Sequence, residues 1–178
     1  MNRSVLRRQI AGFLFTGVCG TLLHFLFDWT GGSAATALFS AANESVWEHM
    51  KLLLYPMFLF ALWESRRMGD NVRGFWQVKL SGILLGLILI PALYYTYTGA
   101  LGVSADWFNI TIFFLADAAA YAWETCRFRK GGSRFGNGSG AFAVLCLLSL
   151  LFPLLTFLPP RIPLFQDPVT GTYGFFAQ

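Results

Sequence analysis

Charge is what this sequence has least of. Asp, Glu, Lys and Arg make up 12% of its 178 residues, where a soluble domain carries roughly 25%. Hydrophobic residues account for 56%, aromatic ones for 17%, and mean hydropathy is +0.56. A water-soluble fold needs polar surface, and the long uncharged runs leave none, so an ordinary soluble enzyme is excluded. The expected class is an integral membrane protein.

Cysteine is also scarce. Cys19, Cys126 and Cys146 lie in or beside apolar runs, and an odd count in such places excludes a disulfide framework and any zinc-finger spacing. There is no internal repeat and no low-complexity tract. The net charge of +4 is spread over short loops and implies no nucleic-acid partner. A cleavable leader is not expected either. Arg3, Arg7 and Arg8 precede the first apolar run as in a signal peptide, but Val18 stands before Cys19 where a lipoprotein signal wants a small residue. That run reads as a retained helix.

What is present is a set of five apolar runs near the 20 or so residues that span a bilayer as helix: 9–29, 44–64, 75–98, 107–127 and 141–158. They define one all-α transmembrane domain with a tail over 159–178. Eleven of the thirteen basic residues fall on one side of these runs, leaving Lys51 and Arg161 on the other. By the positive-inside rule the N-terminus is inside and the C-terminus outside. The stretch 30–42 is small and weakly apolar, fit for a short interfacial or re-entrant helix. The tail carries Asp-Pro and Thr-Gly turn signals. It can fold back over the outer face as a lid, although a loose end is the commoner outcome.

The chemistry concentrates at that outer face. Both histidines of the chain are there, His24 with Asp28 at the end of the first run and His49 within Asn43-Glu44-Ser45-Val46-Trp47-Glu48-His49-Met50-Lys51. Asn43 is the expected N-cap of the second helix, with Glu44 at its positive end. His24/Asp28 and Glu44/Glu48 each have the i,i+4 spacing that puts two side chains on one helix face. Imidazole with carboxylate suits Zn, Fe or Mn, and an open coordination position would activate water. His24, Asp28, Glu44, Glu48 and His49 are therefore candidate metal ligands. Glu44, Glu48 and His49 are candidate acid–base groups, with Ser45 and Lys51 supporting. The competing readings are a structural cluster in which Lys51 answers Glu48 and the histidines bond carbonyls, and a Ser45 nucleophile with His49 as base.

Asp117 lies about 16 Å along its helix from Asp106, near mid-membrane, where an ionisable side chain is a functional hypothesis by default. Its alternative role is helix glue through Thr16 or Thr21. Glu124 and Lys79 are expected to pair at one depth, and Gly82/Gly86 form a close-packing face.

The motif stretch, together with His24-Phe25-Leu26-Phe27-Asp28-Trp29, resembles a family of small bacterial multi-pass proteins of unknown function whose signature is Asn-Glu-Ser-x-Trp-Glu-His-x-Lys. The tail segment 163–174 is similar to the end of the same family, so the resemblance covers nearly the whole chain. It implies a bacterial membrane location and about five helices, and no reaction. Three functions stay open: an outward-facing metal site acting on a lipid-linked or periplasmic substrate, an ion or solute transporter using Asp117, and a structural or regulatory protein without a site. The bilayer is the expected partner, and a transporter would need to form a homo-oligomer.

Overall fold

Each apolar run is a helix in the computed structural model, which describes residues 2–68, 72–133 and 137–175. In order they are α1 (Asn2–Trp29), the single turn α2 (Ala34–Ala37), α3 (Val46–Met68), α4 (Phe75–Leu101), α5 (Asp106–Arg129) and α6 (Gly138–Phe157). A 3-10 turn at Pro163–Phe165 follows. Among the described residues there is no strand, and an antiparallel bridge joins Gln166 to Tyr173. Of the basic residues used for the charge bias, Arg134 lies outside the described residues.

Three helices, α1, α4 and α6, are long and apolar enough to cross a membrane, which suggests a membrane protein. The other two long helices carry the bundle's buried acids, Glu48 and Glu64 on α3 and Asp117 and Glu124 on α5. α3 is the central element. Leu52, Leu53 and Leu54 are consecutive and all buried, so neighbours cover the helix on more than one side. At its start Trp47 stacks on Phe152 of α6, centroids 4.0 Å apart, and donates Nε1–H to the Phe152 carbonyl. α1 begins earlier than hydropathy alone implies, because Arg3, Arg7 and Arg8 are good helix formers and simply extend it.

Away from the start of α3, the bundle is held by a buried ionic network. Lys79 on α4 lies 2.5 Å from Glu64 and 2.6 Å from Glu124, and Gln9 on α1 donates to Glu64. The expected Lys79–Glu124 pair is there, with Glu64 as a second acid that pattern reading does not supply. Close approach of α4 and α5 depends on Gly82, where a Cβ would sit 2.6 Å from the Glu124 side chain. Asp117 is fully buried, yet among the described residues neither carboxyl oxygen has a hydrogen-bond partner. The glue expected from Thr16 and Thr21 is absent. Thr16 bonds Tyr121 at 3.0 Å and Thr21 donates back to the Gly17 carbonyl.

Candidate metal centre

The start of α3 decides which motif residues can reach one another. The cap is Ser45 and not Asn43. Ser45 Oγ accepts from the Glu48 N–H at 3.4 Å, and its carbonyl receives the His49 N–H. Asn43 makes an Asx turn one step earlier, accepting the Ser45 N–H at 2.9 Å. Glu44 is thus left outside the helix. Within a helix it would point about 140° away from His49. From the loop its Oε2 comes to 3.5 Å from His49 Nε2.

His24 completes the group across the α1–α3 boundary, its ring 5.2 Å from that of His49. One ligand-capable atom from each of His24, Glu44 and His49 lies within 4.8 Å of the others. Tetrahedral zinc with bonds of about 2.1 Å separates its ligand atoms by about 3.4 Å. The Glu44–His49 pair is already at that spacing, and His24 needs a side-chain rotation to join it. Two further features fit a metal. His49 Nδ1 lies 2.9 Å from the Ser45 carbonyl. A carbonyl only accepts, so the proton sits on Nδ1 and the Nε2 lone pair faces the group. His24 Nδ1 is buried and has no hydrogen-bond partner among the described residues.

The other candidates fall elsewhere. Glu48 and Lys51, three residues apart, form a buried pair at 2.6 Å. Glu48 also accepts the Ala42 N–H and the Thr156 hydroxyl, and Lys51 donates to the Ala37 carbonyl and to Thr156. These bonds satisfy both residues and tie α2, α3 and α6 together. Glu48 does not share a face with Glu44, because only Glu48 is in the helix. The Ser45 hydroxyl caps the helix and does not meet the His49 ring, so the nucleophile reading loses its geometry. Asp28 lies apart from the triad, on a neighbouring cavity of about 380 Å³ that also touches His24, Glu44 and Asp167.

Two further openings reach triad residues. One of about 440 Å³ runs between α1 and α5, and one of about 300 Å³ lies between α3, α4 and α5. Glu44, His49, Asp106, Asn109 and Val169 line both. Asp117 lines none of these cavities. Asp106 and Asn109 were not evident as site residues from local pattern, since their place depends on how α5 packs; the Tyr97 hydroxyl donates to the Asn109 carbonyl oxygen and fixes it.

The described part of the tail, residues 159–175, packs on the bundle instead of hanging loose. Phe165 is buried against Trp47, centroids 4.6 Å apart. Asp167 Oδ1 accepts from the Val169 and Thr170 N–H groups, closing a tight loop that turns at Gly171 with φ 71°. Asn43 donates to the Gly174 carbonyl, which stitches the tail to the motif itself. The turn signals locate the bend, while the docking rests on Trp47, a residue more than a hundred positions away.

A model of a family described as a family of unknown function, DUF6512, matches residues 5–175. The chain belongs to that family. The matched range takes in the triad, the buried Glu48–Lys51 pair and the tail loop, so every feature above is contained in the DUF6512 region. No curated protein and no solved structure matches the chain.

Proposed function

We propose that this DUF6512 chain is a five-span protein of a bacterial inner membrane, N-terminus inside and C-terminus outside, that binds one divalent metal at its outer face. His24, Glu44 and His49 are the ligands. The observation that carries the reading is the convergence of three ligand atoms from separate chain segments, with the His49 tautomer held by a backbone carbonyl and His24 Nδ1 left without a partner. Two imidazoles and a carboxylate suit Zn, Fe or Mn. When bound, the ion supplies a Lewis acid and an activated water for hydrolysis of a lipid-linked or periplasmic substrate. The chain's own contribution is to hold the ligands beside a cavity, with Asp106 and Asn109 facing the same space as acceptor and donor.

Metal analysis of the purified protein beside a His24→Ala/His49→Ala double variant tests this. About one equivalent of metal is expected in the wild type and none in the variant, with helical content unchanged. A metal-free wild type after Zn, Fe and Mn loading, or a variant that keeps its metal, would reject the reading.

A second reading is supported by Asp117, whose buried oxygens lack donors. Here it holds a proton or small cation on a path through the inner half, in a homo-oligomer. Three cavities touch triad residues and favour the first reading, while a fourth of about 200 Å³ lies near Gln9 and Tyr121 and does not include Asp117.

A further inference from the structure

The larger cavity at the triad carries polar residues near the end of α1 and the start of α5, and apolar ones further along both helices. His24, Glu44, His49, Asp106 and Asn109 line the outer end. Gly20, Leu52, Ile110, Phe113 and Phe114 line the part further along α1 and α5. The two helices touch where Thr16 bonds Tyr121 and where the Phe113 ring lies against Gly20. A Cβ on Gly20 would come within 2.7 Å of Phe113 Cζ. The cavity lies between the helices beside the Gly20–Phe113 contact.

The gap is flanked by exposed apolar side chains. Leu22, Phe25 and Trp29 project from α1, and Trp107, Ile110 and Phe114 from α5, with Ile110 59% exposed. Phe25, Ile110 and Phe114 belong both to these exposed faces and to the cavity wall. Such faces are stable against acyl chains and unstable in water. The cavity therefore opens sideways, toward lipid, with the triad at headgroup depth.

We infer that the site takes a membrane lipid with an anionic phosphate head, its head at the metal and its chain in the gap between α1 and α5. The inference rests on the metal reading above. Glu44 and Asp106 would repel an anionic head from a bare site. A divalent ion offsets that charge and offers open positions to phosphate oxygen, while Asn109 can donate an amide N–H. In the apolar part the Thr21 hydroxyl is already spent on the Gly17 carbonyl, and the remaining lining matches a hydrocarbon chain.

The test uses the full chain in phosphatidylcholine nanodiscs, loaded with Zn2+ and exposed to a phosphatidate carrying a photoreactive diazirine in its acyl chain. Cross-links are expected on the α1 stretch 21–25 and the α5 stretch 110–114. They should fall about tenfold on chelation of the metal and on Ile110→Trp, which fills the gap. Ile110 is no ligand, so that variant should still hold its metal. Excess unlabelled phosphatidate should compete, and inorganic phosphate should not.

The failures are distinct. No metal uptake would overturn the metal reading and this inference with it. Normal metal uptake with cross-links scattered over all exposed apolar faces, or insensitive to chelation and to Ile110→Trp, would overturn the lipid inference alone. Equal competition by inorganic phosphate would assign the head site to the free ion and overturn the lipid as occupant.

Discussion

His24 on α1 and His49 on α3 present their rings to each other across a helix boundary, centroids 5.2 Å apart and planes tilted by 42°. Among the described residues His49 bonds the Ser45 carbonyl, pairs with Glu44 and meets the His24 ring, and His24 Nδ1 has no hydrogen-bond partner. Replacing either by Ala should therefore change stability by no more than about 1 kcal/mol. Metal affinity should fall by two orders of magnitude or so, as loss of one of three ligands demands. Equilibrium dialysis with Zn2+ and thermal unfolding in detergent measure the two effects. A large loss of stability without any change in metal binding would place the histidines in the scaffold.

Glu44 and Glu48 should behave in opposite ways. Glu44 is exposed and touches His49, so Glu44→Gln should weaken metal binding by about tenfold or more and leave the fold intact. Glu48→Gln leaves the buried Lys51 ammonium without its counter-charge. Breaking a buried pair from one side costs about 3–5 kcal/mol, read as a fall in melting temperature, while the ligand atoms themselves remain. Equal effects of the two variants on metal binding would return Glu48 to the ligand set.

The difference between these two glutamates marks where sequence reading stops. Both precede the same apolar run, and Asn43 and Ser45 are both good cap residues. A two-residue choice of helix start sends Glu44 into the site and leaves Glu48 pointing into the bundle, and local propensity does not make that choice. The five long helices were legible because each is marked by a long run with few charges. The Lys79–Glu124 pair was legible because both residues sit at the same depth on neighbouring helices. Glu64, Asp106 and Asn109 were not, because their partners come from helix packing and not from spacing. The same holds for the tail, whose turn residues are visible and whose anchor on Trp47 is not.

Lys79 is the single cation between Glu64 and Glu124 in the described part of the inner network. Lys79→Met should destabilise by about 3–5 kcal/mol, because two carboxylates then face each other without compensation. Adding Glu64→Gln and Glu124→Gln to Lys79→Met should recover much of that loss, since an apolar or neutral replacement of a whole buried network is often tolerated. Chemical unfolding of the three proteins in one detergent checks it. A triple variant no better than the single one would argue that the network is required for a unique packing.

Asp117 offers no bond for a substitution to break. Asp117→Asn keeps the shape and removes a buried ionisable carboxyl that has no hydrogen-bond partner among the described residues. Its stability should be equal to or above that of the wild type, by up to about 2 kcal/mol. If instead the carboxyl carries protons or cations through the bundle, the same variant should abolish flux in proteoliposomes while leaving metal binding at the outer face untouched. Flux that persists in Asp117→Asn would remove it from any pathway.

The tail makes the last separable contribution, since it joins the site to the core through one aromatic anchor. Phe165 is buried on Trp47, which is itself stacked on Phe152. Phe165→Ala should cost about 3–5 kcal/mol if the surrounding rings do not collapse into the space. The loop beyond it places Pro168 and Val169 on the wall of the cavity beside His49 and Glu44. Releasing the anchor should therefore open the triad to water as well as weaken the bundle. Limited proteolysis should cut the variant near Asp167–Gly171, where the wild type resists, and Zn2+ should dissociate faster. Metal dissociation that stays at the wild-type rate in a fully cleaved variant would show that the tail covers the site without holding it closed.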